Sequence, residues 1–494
     1  MNLRAILPAA YRDPQAILWL LAALSLGLVI GLASTGQLIA LLCILAAVGF
    51  GLAALRYPII LVGLLLAIGP TAAYEKRAGL PFIGTLSSVS TGQLFMAALL
   101  LFYGLWLLIN RRTGLPRFKM ALPLGVWLTF TLLSTLLAES RTVALKEWFK
   151  WIEVFLLIAI TLDLSSLIPS KSRRLMLLVL LLLASAVLQG GIGLRQFLDP
   201  NGPESFQILG RFFRAFGTFE QPNPYGGFLS WHLLLGAGIL AQYGYHQILP
   251  QLFYSKRNTD PAEGIWQIPW GFLAIILGAS FIIGIGIVAS WSRGAWLALF
   301  AGLGTIAFFL PKRRSTGVLL ILGLAGLLII AALSGLIPDS VTNRIASSTD
   351  FQIVDMRDVE VQNENYALYE RLGFWYAAFG MFRDHLWFGV GFGNYDTAYA
   401  DYFVNIWEQS LGHAHNYYIN LLAEIGILGL ITYVLFWGAV LVLNLSQLER
   451  SSPLARGILI GLLGVWVAIS VHHLVDKLYV NNIYLNLAVM FALQ

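Results

Sequence analysis

The chain has 494 residues, of which 58% are hydrophobic and 11% are charged, and its formal net charge is +6. So apolar a composition excludes a soluble globular protein and predicts an integral membrane protein. The single cysteine, Cys43, lies in an apolar run, so no disulfide can form within these residues and neither thiol chemistry nor a cysteine metal site is expected. The positive charge does not by itself indicate a soluble acidic partner, because basic residues in such chains mainly orient helices, and no nucleic-acid partner is expected.

Apolar runs follow one another along the chain, and each is long enough to cross a bilayer as a helix. Because the first run is followed at once by others, a cleavable signal peptide is not expected. The predicted spans are 16–33, 37–55, 58–73, 91–110, 120–138, 151–168, 174–194, 225–243, 267–289, 294–310, 316–335, 416–443, 457–472 and 479–494. They predict an all-α integral membrane protein, a polytopic bundle of about 12 to 14 helices with one long external loop subdomain.

The short loops between these spans fall into two sets that differ in charge. One set is rich in basic residues: Arg4, Arg12, Arg111, Arg112, Arg117, Lys119, Lys171, Arg173, Arg174, Lys312, Arg313, Arg314, Arg450 and Arg456. The positive-inside rule places this set and the amino terminus in the cytoplasm. The external set then comprises 73–90, 139–150, 195–225, the turn around Arg293 and 335–412. We therefore predict a multi-pass protein of the inner (cytoplasmic) membrane.

Four regions follow from this topology: N-terminal helices (1–194), central helices with external arginine motifs (195–335), an external, periplasmic loop (336–415) and C-terminal helices (416–494). The loop contains a cluster of acidic residues: Asp339, Asp350, Asp355, Asp358, Glu360, Glu364 and Glu370. Apolar residues at steps of three and four predict an amphipathic helix there: Leu368, Leu372, Trp375, Phe379 and Phe382. The glycines Gly389, Gly391 and Gly393 end it, and without a preceding strand they are not a nucleotide-binding fingerprint.

Three of the arginines in the external segments are candidates for ligand binding. Arg211 and Arg214 precede a Gly/Pro-rich turn that enters the span 225–243, and Arg293 lies in the tight turn SWSRGAW at 290–296. A guanidinium group stays charged and binds pyrophosphate oxygens in pairs, which makes these residues candidates for binding a diphosphate. The alternative is that they extend to lipid headgroups. Arg293 runs against the positive-inside bias, which favours a functional role.

Histidines and carboxylates provide candidates for proton transfer. His415 opens the span 416–443, where an imidazole can accept a proton near neutral pH and a helix amino terminus favours phosphate. His413 and His415 are two residues apart and would not share a helical face, so a metal site built from them is not expected. His472 and Asp476 are neighbours on a helix, and Glu424 could orient a neighbour or pair with an arginine. Structural hydrogen bonds would explain these last residues equally well.

These segments resemble the O-antigen ligase and polymerase superfamily. His415 and Asn416, separated by nine residues from GILG at 426–429, resemble its signature, and SRGAW at 292–296 is similar to its short turn between two spans. Other segments resemble the family in the same order along the chain: Arg214 with GTF and Pro-Asn at 217–223, Arg371 through the Gly-rich exit at 389–391, and His472 with Asp476. The matches cover about 205–476, whereas the first 200 residues match only as membrane helices.

The resemblance implies a GT-C-like membrane glycosyltransferase with an external active site and neither metal ion nor cofactor. It would move a glycan from an undecaprenyl-pyrophosphate carrier to the hydroxyl of a lipid, glycan or protein acceptor. Arg211, Arg214, Arg293 and Arg371 would hold the pyrophosphate, with Arg214 and Arg293 also catalytic. His415 would be the general base of an inverting reaction, supported by Asn416, Glu424, His472 and Asp476.

Two other functions fit a polytopic membrane protein. A transporter, for example of inorganic carbon or a small anion, would show internal repeats or broken helices carrying charges at the bilayer midplane. No repeat is evident, and most candidate residues lie at one predicted membrane edge, which favours the enzyme. A scaffold or lipid-binding component would give no reason for arginines and a histidine to gather on one face.

Overall fold

The computed structural model describes residues 57–72, 90–112, 114–199, 201–219, 221–249, 268–335, 342, 366–404 and 406–494. The predicted spans 16–33 and 37–55 lie outside these residues, as do the acidic residues from Asp339 to Glu364. Helices dominate the described residues, and the strands there form a single hairpin in which each strand has two residues.

The helices are α1 (Ile59–Ile68), α2 (Thr91–Ile109), α3 (Ala121–Leu137), α4 (Arg141–Ser166), α5 (Lys171–Leu198), α6 (Pro222–Tyr243), α7 (Trp270–Ser290), α8 (Arg293–Phe309), α9 (Arg314–Leu333), α10 (Tyr366–Asp384), α11 (Tyr395–Ala398), α12 (Tyr417–Gln447), α13 (Pro453–His472) and α14 (Ile483–Leu493). Strands β1 (Gln207–Ile208) and β2 (Phe212–Phe213) pair antiparallel between α5 and α6. A five-residue π-helical segment, Gly244–Ile248, extends α6.

Within the described residues, six helices are long and apolar enough to cross a membrane: α2, α5, α7, α9, α12 and α13. The shorter apolar helices are α1, α3, α8 and α14. Large apolar side chains such as Leu319 and Leu327 point outward, as expected for helices surrounded by lipid. The protein is an all-α polytopic membrane protein, which confirms the predicted fold class.

The centre of the bundle is built around α6 and α13. Gly238 of α6 faces Gly461 of α13 so closely that a β-carbon on either glycine would meet backbone atoms of the other helix. Small residues at such a crossing let two membrane helices pack backbone against backbone. Both helices are buried along most of their length, so they form a rigid support for the residues at their ends.

Two predicted boundaries are wrong. The loop predicted at 139–150 is mostly helical, because α4 begins at Arg141. The charged residues of this segment are typical of a loop, but Glu147 is buried and accepts a hydrogen bond from Lys150 at 2.6 Å. The last helix begins at Ile483, because residues 476–482 are not helical and both Asn481 and Asn482 adopt positive φ.

The predicted loop helix exists as α10, but its buried face differs from the predicted one. Phe374, Ala377, Ala378 and Met381 are fully buried, whereas Phe379 of the predicted face is 48% exposed. The buried face packs in a satellite core with aromatic residues further along the loop, such as Tyr395, Tyr399 and Trp407. These non-local partners decide which side of the helix is covered.

Helix α12 is broken at Gly426, which has φ 65° and ψ −169°. The segment 386–391, which leaves α10, runs alongside the break and satisfies the freed backbone groups. Val390 N donates to Ala423 O, Gly391 N donates to Glu424 O and Ile427 N donates to Leu386 O, each at 2.9 Å. The loop is therefore joined to a membrane helix next to the candidate site.

Basic residues predicted to be cytoplasmic gather at one end of the bundle. Arg456 donates to Gln242 Oε1 at 2.6 Å and to the carbonyls of Leu310 and Phe309 at 3.2 Å. Lys171 and Arg174 line a cavity next to the start of α13. The candidate residues gather at the opposite end, called the site end below, which comprises the loops at 138–140, 289–292, 412–416 and 473–477.

Candidate functional site

The loop that carries His413 and His415 is fixed by Asn416. Asn416 caps α12, where its Oδ1 accepts hydrogen bonds from Tyr418 N at 3.0 Å and Ile419 N at 3.1 Å. Its Nδ2 donates to Leu474 O at 3.0 Å, which ties the loop to the segment after α13. His415 itself has φ 50°, a left-handed conformation that this double anchorage imposes. The predicted supporting role of Asn416 is thus, in structural terms, to hold the backbone next to His415.

Asp476 lies between the two histidines. Its Oδ1 is 3.6 Å from His415 Nδ1 and 3.7 Å from His413 Nε2, and the ligand atoms of all three residues lie within 4.8 Å of one another. Helical spacing would keep His413 and His415 from sharing a metal ion, but both histidines lie in the loop before α12. Their rings approach to 4.5 Å between centroids there, and helical spacing therefore does not exclude a shared metal ion.

Charge in this cluster resides mainly on the carboxylate. Burial would raise the pKa of Asp476, but His415, His413 and His472 around it hold the pKa well below its usual range. Burial lowers the pKa of His413 to about 3, although Asp476 opposes this shift. At neutral pH the cluster therefore combines an anionic carboxylate with a neutral imidazole at His413.

A second charged group lies directly behind Asp476. Lys477 Nζ is 3.9 Å from Glu147 Oε1 and 3.9 Å from Glu424 Oε1, and all three residues are buried. Burial alone would lower the pKa of Lys477, but the two carboxylates outweigh it and raise the pKa. Glu424 therefore pairs with a lysine rather than with an arginine or with His415. The group links α4, α12 and the segment after α13.

His472 occupies the centre of the site end. Its side chain is 1% exposed, and neither ring nitrogen has a hydrogen-bond partner among the described residues. A β-carbon at Gly227 of α6 would lie 3.0 Å from His472 Cε1, and one at Gly294 of α8 would lie 3.1 Å from its Nε2. Asp476 N donates to His472 O at 3.0 Å, but the carboxylate faces the loop histidines instead of pairing with His472 alone.

Arg214 is held in position by two segments. Its Nε donates to Ser290 O at 3.0 Å, and its Nη2 donates to Asn223 Oδ1 at 3.2 Å. The same Asn223 oxygen accepts a hydrogen bond from Ser292 Oγ at 2.9 Å. Asn223 therefore joins Arg214 to the turn before α8. The sequence contained a signal for this role, since Asn223 lies between two prolines at the start of a helix.

The other arginines differ in their surroundings. Arg211 is exposed and lies 4.4 Å above the ring of Phe212, so it is not joined to the network of Arg214. Arg293 is the first residue of α8 and is half-buried beside Gly294. Arg371 is half-buried on α10, and within the described part of the chain it has no hydrogen bond or ion pair. It lies near His413, because its positive charge contributes to lowering the pKa of that histidine.

The site therefore combines arginines, histidines and an anionic carboxylate at one end of a polytopic membrane bundle. Such a combination of groups on a polytopic membrane protein can bind an anionic ligand next to a proton-accepting group. Residues 278–434 match the family model described as O-antigen ligase, and the match runs from α7 through Arg293, α10 and His415 into α12. No curated protein sequence matches the chain. The family match confirms the predicted resemblance to the O-antigen ligase and polymerase superfamily and supports an O-antigen ligase-like function in glycan transfer.

Proposed function

We propose that the protein transfers a glycan from an undecaprenyl-pyrophosphate carrier to an acceptor hydroxyl at the external face of the inner membrane. One observation carries the proposal. His472 packs against Gly227 and Gly294 on the arginine side of the site, and four residues later Asp476 faces His415. The groups suited to a diphosphate and the groups suited to a hydroxyl therefore meet within one small region.

The donor diphosphate is assigned to Arg214, Arg293 and Arg371. Arg214 is oriented by hydrogen bonds from its Nε to Ser290 O and from its Nη2 to Asn223 Oδ1, and a guanidinium group held in this way can bind the oxygens of an anion. Arg371 brings a positive charge from the loop side. Preorganised cations stabilise the charge that develops on the leaving group without reorganising during the reaction, so these arginines can replace a metal ion in this role. The exposed Arg211 contributes to attracting the donor.

His415 is assigned as the general base. It accepts the proton of the acceptor hydroxyl while the hydroxyl oxygen attacks the anomeric carbon and the bond from that carbon to the diphosphate oxygen breaks. The configuration inverts and undecaprenyl pyrophosphate leaves. Asp476 stabilises the imidazolium that forms on His415, since its carboxylate lies 3.6 Å from Nδ1. Acceptor lipids, glycans and protein hydroxyls would all use the same base.

The first experiment measures release of undecaprenyl pyrophosphate by the purified protein in detergent. The donor is an undecaprenyl-pyrophosphate glycan, the acceptor is a crude envelope fraction, and EDTA is present. We expect acceptor-dependent release by the wild type and its loss in His415→Ala and Arg293→Ala.

Matched controls are His385→Ala and Arg383→Ala, which remove exposed residues of the same types on α10 and directly after it. Release that survives in both site variants would refute the assignment of the site. Release that requires a divalent cation would refute metal independence while keeping glycan transfer.

Transport is the second candidate, and the break in α12 favours it. Glu424 lies two residues before the non-helical Gly426 and is buried beside Lys477, a combination that transporters use for ion binding. The segment 386–391 covers the break with backbone hydrogen bonds, however, which favours a structural role for it. Ion flux in proteoliposomes that is lost in Glu424→Gln, with no glycan transfer by the wild type, would support transport.

A further inference from the structure

We propose that His413, His415 and Asp476 form a binding site for one divalent transition-metal ion such as Zn²⁺, and that the bound ion prevents His415 from activating the acceptor. The first half of this proposal stands on the geometry of the three side chains alone. The second half rests on the proposed function, in which His415 is the general base.

The three ligand atoms are already close to the arrangement that zinc requires. Zinc binds histidine nitrogens and carboxylate oxygens at about 2.0 to 2.2 Å, so neighbouring ligand atoms of a tetrahedral site lie about 3.3 Å apart. Asp476 Oδ1 is 3.6 Å from His415 Nδ1 and 3.7 Å from His413 Nε2. The histidine nitrogens lie within 4.8 Å of each other, so the site closes when the carboxylate shifts by a few tenths of an ångström and the two imidazoles turn toward each other by up to about 1.5 Å.

The chemistry of the ligand set also fits. Two imidazoles and one carboxylate form a common three-residue set for zinc, with the fourth position left to water. His415 has two buried ring nitrogens without hydrogen-bond partners among the described residues, and a metal bond would satisfy one of them. The His413 and His415 side chains are 16% and 17% exposed, so an ion can reach them from the site end.

Three features of the surroundings affect the affinity of this site for a metal ion. His413 Nδ1 accepts a hydrogen bond from His415 N at 3.1 Å, and this bond is lost if Nε2 binds the ion and the ring proton moves to Nδ1. Lys477 is adjacent, but Glu147 and Glu424 balance its charge. Arg371 forms no ion pair among the described residues, although its charge interacts with that of neighbouring Glu370; Arg371 repels a cation, whereas Glu370 attracts one. We therefore expect Arg371→Gln to bind the ion more tightly than the wild type.

The binding experiment uses tag-free protein that has been treated with a chelator and then freed of it. Co²⁺ is followed by its visible absorption, and Zn²⁺ is followed by equilibrium dialysis with elemental analysis. We expect one ion per chain and a dissociation constant at least about tenfold larger for His413→Gln and Asp476→Asn. His385→Gln is the control for adventitious binding by an exposed histidine. No stoichiometric binding, or binding unchanged in both site variants while folding is intact, would overturn the proposal.

Inhibition is measured in the release assay without EDTA. We expect Zn²⁺ to inhibit the wild type, and His413→Gln to need about tenfold more Zn²⁺ for half-inhibition relative to its own metal-free rate. Stoichiometric binding without inhibition would overturn the second half alone. If no acceptor supports glycan release, the second half fails together with the proposed function, whereas the titration still decides the first half.

Discussion

Replacing Gly426 by alanine would disrupt the contact between the segment 386–391 and the membrane helix α12, which follows His415. Gly426 has φ 65°, and an added β-carbon would overlap Trp387 and lie 2.6 Å from the backbone nitrogen of Phe388. The opposite glycine is equally constrained: a β-carbon on Gly389 would lie 2.5 Å from Ala423 O. Both glycines are needed because two backbones meet directly at this point.

The expected cost of Gly426→Ala has two parts. Holding alanine at φ 65° and ψ −169°, a conformation that is essentially restricted to glycine, costs about 2 kcal/mol. Moving the segment 386–391 away breaks the backbone hydrogen bonds to Ala423, Glu424 and Ile427, each worth about 0.5 to 1.5 kcal/mol net. The total is roughly 3.5 to 6.5 kcal/mol, which is large for a single methyl group.

Thermal unfolding in detergent, followed by tryptophan fluorescence, measures this cost. Gly438→Ala is the matched control, because Gly438 lies in the same helix with no atom within 4 Å of an added β-carbon. We expect Gly426→Ala to lower the Tm by several degrees and Gly438→Ala to leave it unchanged or slightly raised, since alanine favours helix. Equal Tm values for both variants would refute the reasoning.

Three further outcomes are expected. The pKa of His413 is about 3 in the folded protein and about 6.5 in the unfolded chain, so the unfolded chain binds an extra proton between these pH values. The free energy of unfolding therefore falls by up to about 1.4 kcal/mol per pH unit below 6.5. Between pH 7 and 5 the Tm of His413→Gln should fall less than that of the wild type, and an equal fall would contradict this. Asn223→Ala removes one of the hydrogen bonds that orient Arg214, and we expect glycan release to slow by about tenfold; an unchanged rate would show that Arg214 does not need this support. Lys477→Met leaves the buried Glu424 without its ion-pair partner, whereas Glu147 keeps Lys150, and should cost about 3 to 5 kcal/mol. The cost is measured as a lower Tm that the added change Glu424→Gln partly restores; no restoration would contradict the pairing.

Hydrophobic runs predicted most of the described fold, because a helix surrounded by lipid needs a long apolar segment. The errors arose where charged residues are buried by pairing. Glu147 and Lys150 looked like loop residues, and only their mutual contact and that of Glu147 with Lys477 explain how they lie inside a helix of the bundle. A sequence pattern records the polarity of each residue but not the partner that satisfies it.

The same limit applies to the site. The sequence predicted which polar residues lie at one end of the bundle, because the loops between apolar runs identify that end. Helical spacing predicted that Asp476 pairs with His472. The carboxylate instead faces His413 and His415, which lie more than sixty positions earlier in the chain. The loop histidines approach it because Asn416 binds Leu474 O and Tyr417 N donates to His473 O at 2.7 Å. Such long-range backbone contacts leave no local pattern.

His415 is held between two parts of the molecule that fold around separate cores. On the membrane side it faces Asp476, which follows α13. On the loop side the ring of Phe374 from α10 stacks on it at 5.7 Å between centroids, and Phe374 belongs to the satellite core of the loop. The same loop is joined to α12 at Gly426, within three helical turns of His415. Because both contacts act on one imidazole, the loop forms a wall of the site rather than a separate cover. We therefore expect a ligand to approach His415 beside α10.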